Sequence, residues 1–301
     1  MVNNRCHFRS ISLPSMSNPI IRRIGEELDK LKEWEESSTS TSETISIGLT
    51  GLGNLYKCLD DALSLPLIQQ APSFHHHEQC VNELLETSLR LLDICSAARE
   101  IVLQLKEADR ELRSALRRRK HDPVSIESNT ADYICKRKKT IKSAKALVLS
   151  LKRVEENFGS SSILEDDHHH HRLSTVINAL RCVSFMNISI YESLFFFLSM
   201  PVLCCKPRSS KWPLVSKLMQ MRVTDQCGNE AETWNELKNV DVALRSLSCC
   251  QKSEPEKVEF VVKRLEDLEV GMDAIENGLD SMFRQLIKTR ASLLNLFSFS
   301  F

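Results

Sequence analysis

Glycine and aromatic residues are scarce in this chain, which contains 8 glycines and 6% aromatic residues among 301 residues. The shortage of glycine argues against a glycine-rich β fold or nucleotide-binding fold, and both shortages are typical of α-helical proteins. Net charge is also absent, because 40 basic side chains balance 40 acidic ones. The overall charge therefore predicts no nucleic-acid partner, and such binding would need a local basic patch.

Signatures of covalent and catalytic chemistry are missing as well. The 11 cysteines are odd in number and include no C-x-x-C pair, which argues against a disulfide framework. No nucleophile with a neighbouring base, H-E-x-x-H, G-x-S-x-G or kinase signature is present, so we expect no enzyme, no catalytic residue and no cofactor. The histidine runs His75–His77 and His168–His171 fall in predicted loops without the spacing of metal ligands, and they predict no metal site.

Targeting and membrane-spanning segments are not found either. Residues 1–18 lack the apolar core of a secretory signal, although they are acid-free and serine-rich, like an organellar transit peptide. The most apolar stretch, residues 185–205, carries Asn187, Glu192 and Pro201, and its uninterrupted apolar run is far shorter than the ~20 residues of a span. We expect a buried core helix there and a cytoplasmic protein, with a nuclear or plastid location left open.

What the chain does contain is two long apolar stripes at helical spacing. The first runs from Val81 to Leu116 and the second from Val258 to Leu286, in steps that alternate three and four residues. Such steps place every member on one face of a helix, and each helix would be roughly 60 Å long. Neither helix can bury its stripe alone. The pattern therefore predicts an all-α fold, an elongated bundle of long antiparallel helices.

Helix boundaries divide the chain into a tail and one domain. Residues 1–17 are predicted to be a flexible, disordered tail rich in serine and arginine, and residues 18–301 a single all-α bundle domain. The polar linker at 159–171 leaves a subdivision of this domain open. A break at His121–Pro123 is followed by a helix predicted to start near Thr130.

Three local features leave alternatives open. Asp109 interrupts the first stripe, either as a buried polar residue or where the stripe turns to solvent. The segment Gly48–Gly53 lacks the Lys-Ser/Thr pair of a phosphate loop, and close helix packing is the favoured interpretation. The apolar end of the chain, Leu293–Phe301, is predicted to dock on the bundle, with insertion at a membrane interface as the alternative.

The sharpest short motif lies in the tail, where residues 9–14 read R-S-I-S-L-P. Arg9 stands three residues before Ser12, as in the substrates of basophilic kinases, and Pro14 stands two residues after it. A phosphate on Ser12 would add nearly two negative charges for an arginine cluster to bind. The combination of Arg9, Ser10, Ser12 and Pro14 therefore predicts a docking site for a 14-3-3 protein, with a serine-rich tail without function as the alternative.

Two basic runs form a second candidate site, and they comprise Arg117, Arg118, Arg119, Lys120, Lys136, Arg137, Lys138 and Lys139. The first run ends one predicted helix, where positive charge complements the helix dipole, and the second lies just inside the next helix. If these helices form a hairpin, both runs sit at one end of the bundle and make a single cationic patch. Such a patch would suit an anionic membrane surface, an acidic protein or a nuclear-import receptor, while solvated helix ends are the alternative.

Several segments resemble a plant protein family, and they are His7–Pro14, Glu83–Cys95, Leu112–Arg119, Trp212–Leu218 and Gly278–Asn295. In this order they resemble the plant-specific family of domain of unknown function 241, which is related to the BYPASS proteins. The resemblance supplies no catalytic residue and implies a role in root and shoot development. With the bundle and the tail motif, it suggests a non-enzymatic helical adaptor that binds protein partners, with its oligomeric state left open. The alternative is a peripheral membrane protein that binds anionic lipid, as in secretory traffic.

Overall fold

The structure of the protein is a computed structural model that describes residues 19–37, 39–69, 78–118, 123–159, 171–202, 235–248 and 255–298. Its helices are α1 (Pro19–Ser37), α2 (Ser42–Leu63), α3 (Pro66–Gln69), α4 (Glu78–Arg118), α5 (Pro123–Gly159), α6 (His171–Leu198), α7 (Glu236–Ser248) and α8 (Pro255–Ser298). No strand occurs in these ranges, and the predicted all-α fold is confirmed. The predicted tail lies outside the described residues.

Helix α8 packs against α4, α2 and α7, and both predicted stripes are buried where α4 and α8 meet their neighbours. Every member of the second stripe, from Val258 to Leu286, is at most 1% exposed. Burial of one such side chain stabilises the fold by about 1.5–3 kcal/mol, so this stripe is a major source of stability. Asp109 is 1% exposed, which shows that the first stripe stays buried at this position and does not turn to solvent.

Ion pairs define the direction and register of α8 against α4. The cations come from α4 and the carboxylates from α8, in the pairs Arg99–Asp280, Lys106–Asp273, Lys106–Glu276, Arg110–Glu269, Arg113–Glu269 and Arg117–Glu266. Residue numbers fall along α8 as they rise along α4, so the two helices are antiparallel.

Lys106 is the most buried cation of this series, with 8% of its side chain exposed. Burial alone would lower the pKa of Lys106, but hydrogen bonds and attraction to Asp273 and Glu276 outweigh burial and raise it. Except for Arg113–Glu269, the remaining pairs are more exposed, and exposed pairs contribute little to stability. Their main effect is to favour one register of α4 against α8 over others.

Glycines allow α2 to lie close to α8. A Cβ added at Gly278 would lie 2.9 Å from Leu49, and one added at Gly271 would overlap the side chain of Ser42. Only glycine therefore permits the two backbones to approach this far. Gly271 contacts Ser42, and Gly278 contacts Leu49. Residue numbers thus rise together along both helices, which shows that α2 runs parallel to α8.

Helix α1 packs against α2 as a helical hairpin. Thr41 caps the start of α2 in a capping box with Thr44, which satisfies backbone N–H groups at the helix end. The indole Nε1 of Trp34 donates to the carbonyl oxygen of Thr44 at 2.7 Å and so holds the ring against Gly48. The prediction of close helix packing at this glycine is confirmed.

Helix α5 begins earlier than predicted, at Pro123 in place of a start near Thr130. At the first position of a helix, the fixed φ of proline fits the helical conformation and its missing N–H is not needed. A proline that ends one helix can therefore also begin the next. The added first turn buries Ile126. Helix α5 packs beside α4, to which the ion pair between Lys136 and Glu111 joins it.

Helix α6 contains most of the apolar stretch at residues 185–205 and packs against α2 and α5. Phe195 and Phe197 are fully buried, as predicted for a core helix. Asn187 is buried too, and its Nδ2 donates to the Tyr56 hydroxyl at 2.6 Å, so its amide donor is satisfied. No described helix combines the length and apolar content needed to cross a bilayer.

Two glycines of α2 provide a matched test of this packing. A Cβ at Gly48 would lie 2.7 Å from the Trp34 ring, whereas one at Gly53 would lie 3.8 Å from its nearest neighbour, the Ser281 hydroxyl. Overpacking costs about 1–3 kcal/mol, and alanine gains about 1 kcal/mol over glycine inside a helix. We expect Gly48→Ala to lower the free energy of unfolding by up to about 2 kcal/mol and Gly53→Ala to raise it, measured by urea titration. Equal stability of the two variants would contradict the contact with Trp34.

Candidate functional site

The first predicted basic run ends α4 and is partly neutralised. Arg117 pairs with Glu266 of α8, and Arg118 is exposed. Arg119 and Lys120 lie outside the described residues. Of the two described members, only Arg118 therefore keeps its side chain exposed without an ion pair in the described structure.

The second predicted basic run wraps around α5, because successive residues of a helix are about 100° apart. Lys136 pairs with Glu111, Arg137 is fully buried, and Lys138 and Lys139 are exposed. The inclusion of Arg137 in a surface patch is therefore wrong. The binding role of the other members stays a prediction.

The two basic runs also lie at different levels of the hairpin. Lys136 is joined to Glu111, six residues before Arg117, which displaces the runs by roughly 9 Å along the helix axes. Arg117 faces α8, whereas Lys136 faces α4. Their described members do not make one concentrated patch.

Helix α5 carries a different cationic surface, which we name the basic α5 face and define as Lys138, Lys139, Lys142, Lys145, Lys152 and Arg153. All of these side chains are exposed, and residues 133–154 contain no aspartate or glutamate. On a helical projection they cover about 140°, opposite the buried side of the helix. A search for consecutive charges misses this surface, whereas a search at steps of three and four residues would have found it.

Arg137 caps α6 from the interior of the bundle. Its Nη1 donates to the carbonyl oxygen of Leu198 at 2.9 Å, and its Nη2 donates to that of Met200 at 3.2 Å. These carbonyls lie at the C-terminal end of α6, where helices leave acceptors unpaired and the dipole is negative. Burial lowers the pKa of Arg137, and attraction to Tyr133 and Asp241 opposes this effect.

Asp109 and Tyr133 lie in the same buried polar region. The charges of Arg137, Asp109 and Asp241 all act on the Tyr133 hydroxyl. Neither carboxyl oxygen of Asp109 has a hydrogen-bond partner among the described residues, and burial raises the pKa of Asp109 to about 8. The carboxyl group is therefore mainly protonated at neutral pH. A protonated, buried acid of this kind costs stability and restricts which helices can pack at its level.

The buried thiol of Cys95 takes part in packing. Burial raises the pKa of Cys95 to about 11. A thiol with so high a pKa is protonated and is a poor nucleophile. Its Sγ donates to the carbonyl oxygen of Leu279 at 3.5 Å, which ties α4 to α8. The cysteines of the described residues, among them Cys58 and Cys182, are free thiols.

Two cavities of the described structure lie away from Asp109. One of about 380 Å³ is a groove between α1 and α2, lined by Trp34, Leu31, Gly51 and six other residues that include no histidine or cysteine. The other, of about 20 Å³, is lined by residues that include Tyr56 and Thr289. It has room for about one water molecule. Neither cavity opens onto the polar region around Arg137.

Several predicted features lie wholly or partly outside the described residues. They include the tail residues Arg9, Ser10, Ser12 and Pro14 and the side chains of both histidine runs. Within the described ranges, no group of three or more His, Cys, Asp or Glu side chains could hold a metal ion. Near the end of α8, Leu293 and Leu296 are buried, as predicted for docking on the bundle.

The fold and these surfaces define an all-α bundle protein built on the antiparallel pair of α4 and α8. Residues 48–296 match the family described as Protein BPS1, and the chain belongs to this family. The resemblance to a BYPASS-related plant family is thus confirmed. Membership suggests a regulator of plant development without defining its mechanism, and the family is not a known enzyme family. No curated protein and no solved structure matches the chain.

Titration of Asp109 provides a test of the buried polar region. The unfolded chain ionises this acid near pH 4, whereas the folded protein keeps it protonated up to about pH 8. Stability is therefore lost as the pH rises through this window, by about 1.4 kcal/mol for each pH unit. We expect Asp109→Asn to match the wild type near pH 4 and to exceed it by a few kcal/mol at pH 8, measured by urea unfolding.

The matched control for this experiment is Asp93→Asn, which changes an exposed aspartate of the same helix. Its free energy of unfolding is expected to stay within about 0.5 kcal/mol of the wild type at each pH. Parallel pH curves for the wild type and Asp109→Asn would show that Asp109 is solvated in the folded protein.

Proposed function

We propose that this protein is a non-enzymatic helical adaptor of plant development, located in the cytoplasm, whose partner binding is regulated by phosphorylation of Ser12. The observation that supports it most is that buried polar side chains bond to other helices of the bundle. Arg137 caps α6, and the Thr289 hydroxyl donates to Asp60 at 2.6 Å. Such groups stabilise helix packing, which leaves the surface of the bundle and the tail as the places for function.

The tail motif supports regulation by phosphate. Arg9 and Pro14 flank Ser12 at the positions that a basophilic kinase and a 14-3-3 protein read. A phosphate there adds charge and three strong acceptor oxygens to a segment that precedes α1.

Replacement of Ser12 tests this proposal. After phosphorylation by a basophilic kinase, we expect the full chain to bind a 14-3-3 protein and Ser12→Ala to bind about tenfold or more weakly, because charge-assisted hydrogen bonds to phosphate are lost. Isothermal titration calorimetry gives the affinity. Ser17→Ala, a change in the same segment outside the motif, is the control and is expected to bind like the wild type. Equal binding by all three proteins would remove the regulatory role of Ser12.

A second candidate function is binding to an anionic membrane surface as a peripheral protein. The observation that favours it is the excess of exposed cations along α5 in a chain whose net charge is zero. Anionic lipid attracts such clusters with about 1 kcal/mol per basic residue near the surface. The predicted patch at residues 117–120 and 136–139 is one hypothesis for the surface that makes this contact.

A further inference from the structure

We propose that the basic α5 face, which shares only Lys138 and Lys139 with the predicted patch at residues 117–120 and 136–139, is the surface through which this protein binds the headgroups of an anionic lipid bilayer. Leu149 and Phe196 would enter the interface beside these cations. This inference rests on the second candidate function and names its surface. It differs from the sequence-based hypothesis in the residues that carry the contact.

Several cations of the basic α5 face carry no ion pair in the described structure. Within the described part of the chain, no ion pair engages Lys138, Lys142 or Lys145, whereas Lys136 is paired with both Glu111 and Asp132. The nearest acids of the same helix, Glu155 and Glu156, lie beyond the C-terminal end of the basic α5 face. Positive charge is therefore concentrated on the outer side of α5, over roughly 22 Å of helix.

An exposed apolar side chain lies at the centre of this surface. Leu149 is 61% exposed, and on a helical projection it lies between the cations. Phe196 of α6 is 56% exposed. An exposed leucine among lysines is unfavourable in water but favourable at a bilayer interface, where cations meet headgroups and apolar groups meet acyl chains.

Phe196 and Leu149 lie on two helices that pack against each other. Arg137 contacts the end of α6 at Leu198, and farther along the pair Lys152 acts on Glu192. Residue numbers fall along α6 as they rise along α5, so the helices are antiparallel, and Phe196 and Leu149 both belong to the stretch where they run side by side. Both exposed apolar side chains can therefore meet one flat surface if their helices lie against it.

The cations of this surface are mainly of one type. Five of the six residues in the basic α5 face are lysines. Arginine, with its planar fork, is preferred where a fixed carboxylate or phosphate is recognised, whereas lysine acts as a point charge on a flexible stem. A mobile layer of lipid headgroups suits flexible charges better than an ordered acidic protein surface does. Charge, exposed apolar residues and lysine content together favour the bilayer.

The test compares two triple variants of the full chain that change the net charge equally. The test variant carries Lys142→Gln, Lys145→Gln and Arg153→Gln, which all lie outside the predicted patch. The control variant carries Lys57→Gln, Lys263→Gln and Arg284→Gln, which lie on α2 and α8 and are equally exposed. Binding is measured by flotation with vesicles of phosphatidylcholine, with and without phosphatidylserine, at low and high salt. Circular dichroism confirms that both variants remain helical.

We expect the wild type to bind the phosphatidylserine vesicles at low salt and to be released by high salt. The test variant is expected to lose roughly a hundredfold in partition coefficient, and the control variant to lose about twofold or less. Leu149→Ser is expected to weaken binding of the wild type by roughly tenfold while leaving its salt dependence unchanged.

The outcomes separate this inference from the function on which it rests. If the wild type binds no vesicle at low salt, or binds only nucleic acid or an acidic protein, the second candidate function and this inference both fail. If the wild type binds and both triple variants bind equally well, membrane binding stands and the basic α5 face is overturned as its surface. Loss of binding in the test variant alone supports the inference.

Discussion

Helix α8 would not be stable in water by itself, because its stripe from Val258 to Leu286 is apolar along its whole length. Burial against α4 and α2 removes this surface from solvent and supplies the largest favourable contribution to folding. The two neighbours contact α8 in different ways. Helix α4 brings its own stripe and a series of cations, whereas α2 approaches closely at Gly271 and Gly278. The remaining helices pack around this group of three.

Polar residues inside the bundle refine this arrangement. Arg137 satisfies carbonyl oxygens at the end of α6, and Asn187 of α6 donates to Tyr56 of α2. Asp109 holds a proton that the same group would lose in water. The contacts of Arg137 and Asn187 each join two helices, so each disfavours other ways of packing the same apolar stripes. The buried polar groups thus hold the helices in place, and the proposed functions therefore use the tail and the outer side of α5.

The sequence predicts the long helices well, because a stripe in steps of three and four residues has one structural explanation. It does not predict the interior position of Arg137. Consecutive residues of a helix point in directions about 100° apart, and the sequence of a basic run does not show which residue points inward. The start of α5 at Pro123 was also missed, since proline ends one helix and starts the next with equal ease. A search for basic residues at steps of three and four would have found the basic α5 face. Its exposure, however, depends on which side of α5 packs against the bundle.

A charge swap between α4 and α8 tests the central pairing most directly. Lys106→Glu places a third carboxylate beside Asp273 and Glu276, and the expected loss in the free energy of unfolding is roughly 3 kcal/mol. Addition of Asp273→Lys and Glu276→Lys restores attraction with the signs reversed and is expected to recover most of that loss. If the triple variant is no more stable than Lys106→Glu alone, Lys106 does not face these two residues, and the antiparallel register of α4 and α8 is wrong.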